Sequence, residues 1–190
     1  MKKSLVIASN NAHKVEEIKA VLGNRFDLLT LNDISFFEDI PETADTFIGN
    51  ALIKARTIYE KFQMNCFADD SGLEITALNN EPGVYSARYA GEPVDHSKNI
   101  DKVLRNLEGI SDRSARFVTV IALILEGEEF LFEGEVKGRI TTERIGENGF
   151  GYDPIFIPET ESRTFAQMNA EEKISMSHRS RAIQKMITNI

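Results

Sequence analysis

Two adjacent aspartates, Asp69 and Asp70, follow a short apolar run and are the side chains of this 190-residue chain best suited to chemistry. Residues 65–68 are typical of the end of a buried strand, and Ser71 and Gly72 predict a turn directly after it. Because successive side chains of an extended segment point in opposite directions, we expect one carboxylate to face a ligand while local hydrogen bonds hold the other. Such an acid suits a magnesium ion that binds a phosphate substrate. An Asx-type turn that closes the strand explains the same residues equally well.

A second polar segment, residues 9–14, lies between a predicted strand and a predicted helix. Small polar side chains, the backbone N–H groups of a helix start and one lysine together form a good cradle for a phosphate. The segment lacks the glycine spacing of a P-loop or of a dinucleotide-binding loop, so helix capping by Ser9 or Asn10 is the simpler interpretation. The members of the segment are Ser9, Asn10, Asn11, Ala12, His13 and Lys14.

Three further clusters could bind a ligand. The glycine-rich segment 146–154 holds two aromatic side chains and a carboxylate, which can stack on a purine ring and bind its edge, or can simply form a turn before a strand. The acids at 38–42 precede a predicted helix and can bind a metal or complement the helix dipole. Lys173 and residues 177–179 form a basic group, for which a solvated charged face is the usual explanation.

Strand-like and helix-like segments alternate along the chain, which predicts an α/β fold without an internal linker. Thr43 or Asp45 is the expected cap of the long second helix, and Ser175 or Ser177 that of the last helix. Residues 114–140 predict an antiparallel hairpin, so we expect one domain with a mixed central sheet flanked by helices, and a functional site in the cleft between an α/β lobe and a hairpin lobe. Strands are expected at 5–8, 26–31, 65–68, 116–125, 130–137 and 155–157, and helices at 14–22, 46–62, 95–107 and 171–190.

Composition excludes several classes of function. A formal charge of −8 and a pI near 5.0 argue against general binding of nucleic acid or of an anionic membrane surface. The apolar stretch at residues 5–8 is too short for a signal peptide, and no later run is long enough to span a membrane. The lone cysteine, Cys66, lies in an apolar run and is expected in the core. These features favour a folded enzyme of the cytoplasm.

In this order along the chain, the clusters resemble the inosine triphosphate pyrophosphatase family, hydrolases that remove non-standard purine nucleotides from the nucleotide pool. The resemblance runs nearly end to end, and the order of the segments is more specific than any one of them. It rests on residues 9–14, 46–51, 54–55, 68–73, 82–89, 149–154, 173 and 177–179.

The resemblance implies cleavage of ITP, dITP and XTP between the α- and β-phosphates, which releases a nucleoside monophosphate and pyrophosphate with the help of Mg²⁺. It also implies a homodimer. The catalytic acid of the family corresponds to Asp70, which would bind the metal and orient or deprotonate the attacking water. Residues 9–14 would hold the triphosphate, with Lys14 offsetting the charge of the transition state, and Ser71 would contact the substrate.

The resemblance likewise implies how the purine is recognised. Phe150 would stack on the ring, Asp153 would face its edge, and His178 and Arg179 would donate hydrogen bonds to the 6-oxo oxygen. Adenine would then face donors with its own amino group, an unpaired contact worth about 1–3 kcal/mol. How guanine is rejected does not follow from these residues. The remaining residues implied around the nucleotide are Gly151, Tyr152 and Lys173.

The chain departs from the family pattern at a few positions. Family members commonly carry a glutamate, often as a Glu-Glu pair, ahead of the Thr-Phe motif as a second metal contact. Here Pro41 stands first and leaves Glu42, with Glu38 as the alternative ligand. Gly49 and Ala44 also differ from common family choices. Two other functions stay open: a related Maf-type pyrophosphatase acting on other modified nucleotides, and a purine nucleotide sensor without turnover.

Overall fold

Residues 3–189 are described by the structure, which is a computed structural model. Within these residues six strands form one mixed sheet in the order β2-β1-β3-β4-β5-β6. β1 pairs in parallel with both β2 and β3, while β5 and β6 are antiparallel. The predicted fold class is therefore confirmed. The strands are β1 (Ser4–Ile7), β2 (Asp27–Thr30), β3 (Cys66–Ile75), β4 (Ser114–Leu125), β5 (Glu128–Ile140) and β6 (Phe156–Pro158).

The helices begin at polar caps that are often not the ones expected. The side chain of Asn11, rather than Ser9 or Asn10, accepts from the N–H of Lys14, and Thr46, rather than Thr43 or Asp45, accepts from the N–H of Gly49. In both cases the cap is the residue directly before the first helical residue, where its oxygen reaches the first turn. The α-helices are α1 (Ala12–Leu22), α2 (Phe47–Phe62), α3 (His96–Asn106), α4 (Ala170–Met176) and α5 (His178–Thr188), and the 3₁₀ helices span Thr76–Leu78, Gly83–Arg88, Asp153–Ile155 and Phe165–Gln167.

The predicted turn at Ser71 and Gly72 is wrong, because β3 continues through both residues to Ile75. Leu73 and Ile75 are fully buried, and the N–H of Leu73 donates to the hydroxyl of Ser86 at 2.9 Å. The packing of these later side chains keeps the backbone extended where local turn propensity alone favours a bend. Asp69 and Asp70 therefore lie in the middle of a long strand, not at its end.

The predicted C-terminal helix is in fact two helices. Ser177 has an extended backbone, with φ −65° and ψ 153°, and its N–H closes α4 on the carbonyl of Lys173. Asn169 caps α4 through a reciprocal capping box with Glu172, whereas Ser177, one of the two predicted caps, is the residue directly before α5, the last helix. The sequence has no apolar residue between Met176 and Ala182, and this gap is the sequence signal of the break. Ile190, the last residue of the predicted helix, lies outside the described residues.

The chain divides into two compact units. Unit 1 comprises 1–70, 119–134 and 179–190, and its described core packs side chains of β1, α1, β3, β4 and α5 together. Unit 2 comprises 71–118 and 135–178, and its core is built around Leu73, Phe117 and Phe156. Among residues 3–189, no helix combines the length and the apolar character needed to cross a bilayer.

Candidate functional site

The two aspartates lie on opposite faces of β3, as the alternation of a strand requires. Phe67, two residues before Asp69, packs in the core formed with α1 and α5. Cys66, which shares the other face with Asp70, donates from its thiol to the carbonyl of Ala55 on α2 at 3.2 Å. Each aspartate therefore faces a different set of helices, and both side chains are almost fully buried.

Asp69 is neutralised by two cations from opposite ends of the chain. Its Oδ2 lies 3.0 Å from Nζ of Lys14 on α1 and accepts from Nε of Arg179 on α5 at 3.3 Å. Nη1 of Arg179 also donates to Glu17 on α1. Burial alone would lower the pKa of Arg179, but Asp69 and Glu17 outweigh it and raise that pKa. Asp69 is thus a structural anchor for these cations.

Asp70 is held by two polar side chains that lie one turn apart on α2. Nδ2 of Asn50 donates to Oδ2 of Asp70 at 3.1 Å, and Nζ of Lys54 lies 3.8 Å from Oδ1. Lys54 also donates to the carbonyl of Asp69 at 2.7 Å and to Glu42 at 2.6 Å. One lysine thus links the strand, the helix and the loop that precedes the helix.

The charges of this cluster perturb one another strongly. Burial raises the pKa of Asp70, and the ammonium groups of Lys54 and Lys14 only partly offset that effect. Burial also lowers the pKa of Lys14, despite the attraction of Asp69. For Lys54 the order is reversed, because nearby carboxylates, Asp70 first, outweigh burial and raise its pKa. A carboxyl of raised pKa between two ammonium groups is the arrangement expected of a base beside an anion-binding site.

The first helix begins directly beside this cluster. The hydroxyl of Ser9 accepts from the N–H of Asn11 at 3.2 Å, and the Asn11 cap orders the first turn of α1, whose Lys14 contacts Asp69. Asn10 and His13 are exposed at the start of the same turn. The structure therefore brings the predicted phosphate cradle and the aspartate pair together through Lys14, while contact with a substrate stays a prediction.

In unit 2, Asp153 organises the glycine-rich loop. Its Oδ2 accepts from the N–H of Phe150 at 2.8 Å and from Nζ of Lys173 at 2.7 Å. Gly149 has φ +75°, and a Cβ there would collide with the carboxylate of Asp153. Nζ of Lys173 lies 4.6 Å from the ring centroid of Phe150, in cation–π range. The half-buried Phe150 ring is thus set in place by the residues predicted to surround the base.

The other predicted residues of unit 2 occupy less accessible positions. The hydroxyl of Tyr152 donates to the carbonyl of Ser86 at 2.7 Å, and the side chain is almost fully buried. His178 stacks on Phe117, with ring centroids 4.8 Å apart and an interplanar angle of 11°. Ser71 and Gly151 are half-buried.

Asn50 and Lys54 are the residues of this cluster on α2 for which the sequence predicted no role. The buried face of α2 comprises Phe47, Asn50, Ala51, Lys54, Ala55 and Ile58. Two polar residues on an otherwise apolar stripe were therefore visible in the sequence, and polar groups in such positions require partners.

The oxygen donors of the cluster are suitable ligands for a magnesium ion. Within residues 3–189 no group of three His, Cys, Asp or Glu side chains could hold a metal by itself. Mg²⁺ commonly takes only one or two protein carboxylates and completes its shell with substrate phosphates and water. Asp70 and Glu42 are tied to the same ammonium of Lys54 and provide two such carboxylates. Glu38 instead pairs with Lys61, nearer the C-terminal end of α2, at 2.5 Å.

Comparison with known proteins places this geometry in a family. Residues 5–189 match the model of the Ham1 family. A dITP/XTP pyrophosphatase of Flavobacterium johnsoniae is 52% identical over 183 residues, which cover 96% of this chain and 95% of that protein. The Ham1 protein structure from Staphylococcus aureus is 41% identical with a TM-score of 0.90, covering 98% of this chain and 97% of that one. The HAM1 structure from Coxiella burnetii is 40% identical with a TM-score of 0.91 and covers 98% of both chains. The expected resemblance is confirmed, and the chain belongs to the Ham1 family.

Proposed function

We propose that this protein hydrolyses non-standard purine nucleoside triphosphates, namely ITP, dITP and XTP, to the monophosphate and pyrophosphate. The relative from Flavobacterium johnsoniae carries the name dITP/XTP pyrophosphatase. The observation that carries the proposal is the buried carboxylate of Asp70, flanked by Lys54 and by the Lys14–Asp69 pair. A base beside cations is what water attack on a phosphate anion requires.

In the proposed reaction, Asp70 orients a water molecule and accepts its proton as the oxygen attacks the α-phosphorus. The bond from that phosphorus to the bridging oxygen breaks, and pyrophosphate leaves with the bonding electrons. Lys14 and the N-terminal turn of α1 bind the anionic phosphates, because the positive end of the helix dipole and the Lys14 ammonium converge there. Asp70 and Glu42 would hold Mg²⁺, which when bound neutralises phosphate charge. Glu42 would bind the metal without a neighbouring glutamate, because Pro41 stands where family members often carry one.

For the base, we assign stacking to Phe150 and the edge contacts to the group around Asp153 and Lys173. Asp153 and Lys173 fix the loop that carries the ring, which supports this assignment. His178 and Arg179 are the proposed donors to the 6-oxo oxygen. Because Nε and Nη1 of Arg179 bind carboxylates, a contact of Arg179 with the base would use another of its N–H groups.

We further propose that the protein acts as a homodimer in the cytoplasm. The nucleotide pool is the setting in which such a hydrolase has its substrates. The buried Cys66 thiol, whose pKa burial raises to about 12, is the single cysteine of the chain and is consistent with a reducing compartment. Light scattering of the purified protein tests the dimer.

The decisive experiment measures pyrophosphate release from ITP, XTP, GTP, ATP and pyrimidine triphosphates with Mg²⁺, with Asp70→Asn as the control. We expect turnover of ITP and XTP alone, reduced at least about a hundredfold in the control. Equal turnover of a pyrimidine triphosphate would favour the Maf-type activity. Tight ITP binding without turnover would make the protein a nucleotide sensor.

A further inference from the structure

Asn50 joins Asp70 to the loop that precedes α2. Its side chain is 0% exposed, and both ends of its amide have partners. Oδ1 accepts from the N–H of Ala44 at 2.9 Å, and Nδ2 donates to Oδ2 of Asp70 at 3.1 Å. Because the Ala44 N–H can only donate, it fixes the amide orientation and leaves the NH₂ group facing the carboxylate.

Lys54 repeats this arrangement one helical turn further along. It contacts Asp70 on the strand and Glu42 on the loop, as Asn50 contacts Asp70 and Ala44. Residues four apart on a helix lie on the same face, so α2 offers two side chains at a fixed separation. Asn50 holds one oxygen of Asp70 and Lys54 lies beside the other.

We propose that Asn50 is a positioning residue, which sets the orientation of the Asp70 carboxylate for the reaction and couples it to the 42–44 loop. The proposal rests on the function assigned to Asp70 above. A base must be held within a fraction of an ångström of its productive geometry, and a buried amide anchored at its other end is a rigid support for it. Asn50 itself does not touch the reacting atoms.

Two substitutions separate the two contacts of Asn50. Asn50→Asp keeps an oxygen for the Ala44 N–H but replaces the donor that faces Asp70 with a second carboxylate. Asn50→Ala removes both contacts. If Asn50 positions Asp70, kcat for ITP falls about 10- to 100-fold in both variants, the range found when the partner of a site ligand is lost, while KM changes little. If Asn50 only supports the loop, Asn50→Asp retains wild-type kcat, which overturns the proposal.

Thr46→Ala is the matched control, because it weakens the same end of α2 through the lost cap on Gly49 without touching Asp70. We expect it to lose about 1 kcal/mol of unfolding free energy and to keep kcat. A loss of kcat in Thr46→Ala equal to that in Asn50→Asp would assign the effect to helix stability and overturn the proposal.

A double-mutant cycle distinguishes failure of this proposal from failure of the proposed function. In the Asp70→Asn background, Asn50→Asp is expected to have no further effect on kcat, since its effect acts through Asp70. A crystal structure of Asn50→Asp gives a readout apart from activity, with the residue 70 carboxylate rotated from its wild-type position. Full turnover by Asp70→Asn alone would refute the catalytic role of Asp70 and the proposal together. An inactive Asp70→Asn beside an undisturbed Asn50→Asp structure would refute only the role of Asn50.

Discussion

Gly49→Ala is expected to destabilise the protein, although alanine is the better helix former. Gly49 lies in the first turn of α2, where the change alone would stabilise a helix by up to about 1 kcal/mol. A Cβ at this position, however, would lie 2.5 Å from Cβ of Ala44 and 3.1 Å from the hydroxyl of Thr46. Cβ of Ala44 is fixed to the backbone and cannot rotate away, so the loop itself has to move.

Overpacking of this kind costs about 1–3 kcal/mol, which leaves a net loss of about 0–2 kcal/mol once the helix gain is subtracted. Because Ala44 donates to Asn50, a displaced loop is also expected to lower kcat. Ala44→Gly removes the colliding methyl group, so Gly49→Ala in that background is expected to recover the gain in helix stability. The two positions that differ from common family choices would then be a compensating pair.

Urea unfolding of the wild type, both single variants and the double variant measures the coupling directly. We expect a coupling of about 1–3 kcal/mol that favours the double variant, equal to the overpacking removed. If Gly49→Ala raises the unfolding free energy equally with Ala44 and with Gly at position 44, the steric argument is refuted.

Three further outcomes are expected. Burial raises the pKa of the Cys66 thiol to about 12, whereas the unfolded thiol ionises near 9.0, so the unfolding free energy falls as pH rises above 9. Cys66→Ala should remove about 1.4 kcal/mol of that loss at pH 10. Urea unfolding at pH 8 and at pH 10 measures this difference. Phe150→Ala should raise KM for ITP about tenfold or more, because stacking on the base is lost. An unchanged KM would show that the Phe150 ring does not bind the base. If Arg179 binds the base, Arg179→Ala should weaken the preference for ITP over ATP. An equal loss of kcat on both substrates would indicate that Arg179 acts only through its ion pair with Asp69.

The local sequence pattern predicted helices and strands well where it favours the same structure as the packing of the core. The helix predicted at 46–62 and the hairpin predicted at 114–140 are examples, since local pattern and burial there favour the same structure. The strand through Ser71 was missed because its later residues are kept extended by tertiary packing, which no local window contains.

The residues of the candidate site were likewise predicted only in part. Alternation along a strand correctly predicted that Asp69 and Asp70 diverge, but their partners come from helices far along the chain. The ion pair of Asp69 with Arg179 spans 110 residues and has no local signature. Asn50 did have one, a polar residue on an apolar helical stripe.

The composition of unit 1 bears on the order in which the protein is synthesised and folds. Its residues come from three stretches of the chain, and Arg179, which binds the buried carboxylate of Asp69, belongs to the last of them. Unit 2 is encoded entirely between the first and last stretches of unit 1. All residues of unit 2 are therefore synthesised before Arg179, one of the cations that neutralise the central acid of unit 1. Folding from the N-terminus onward, the usual order for successive domains, is not open to unit 1.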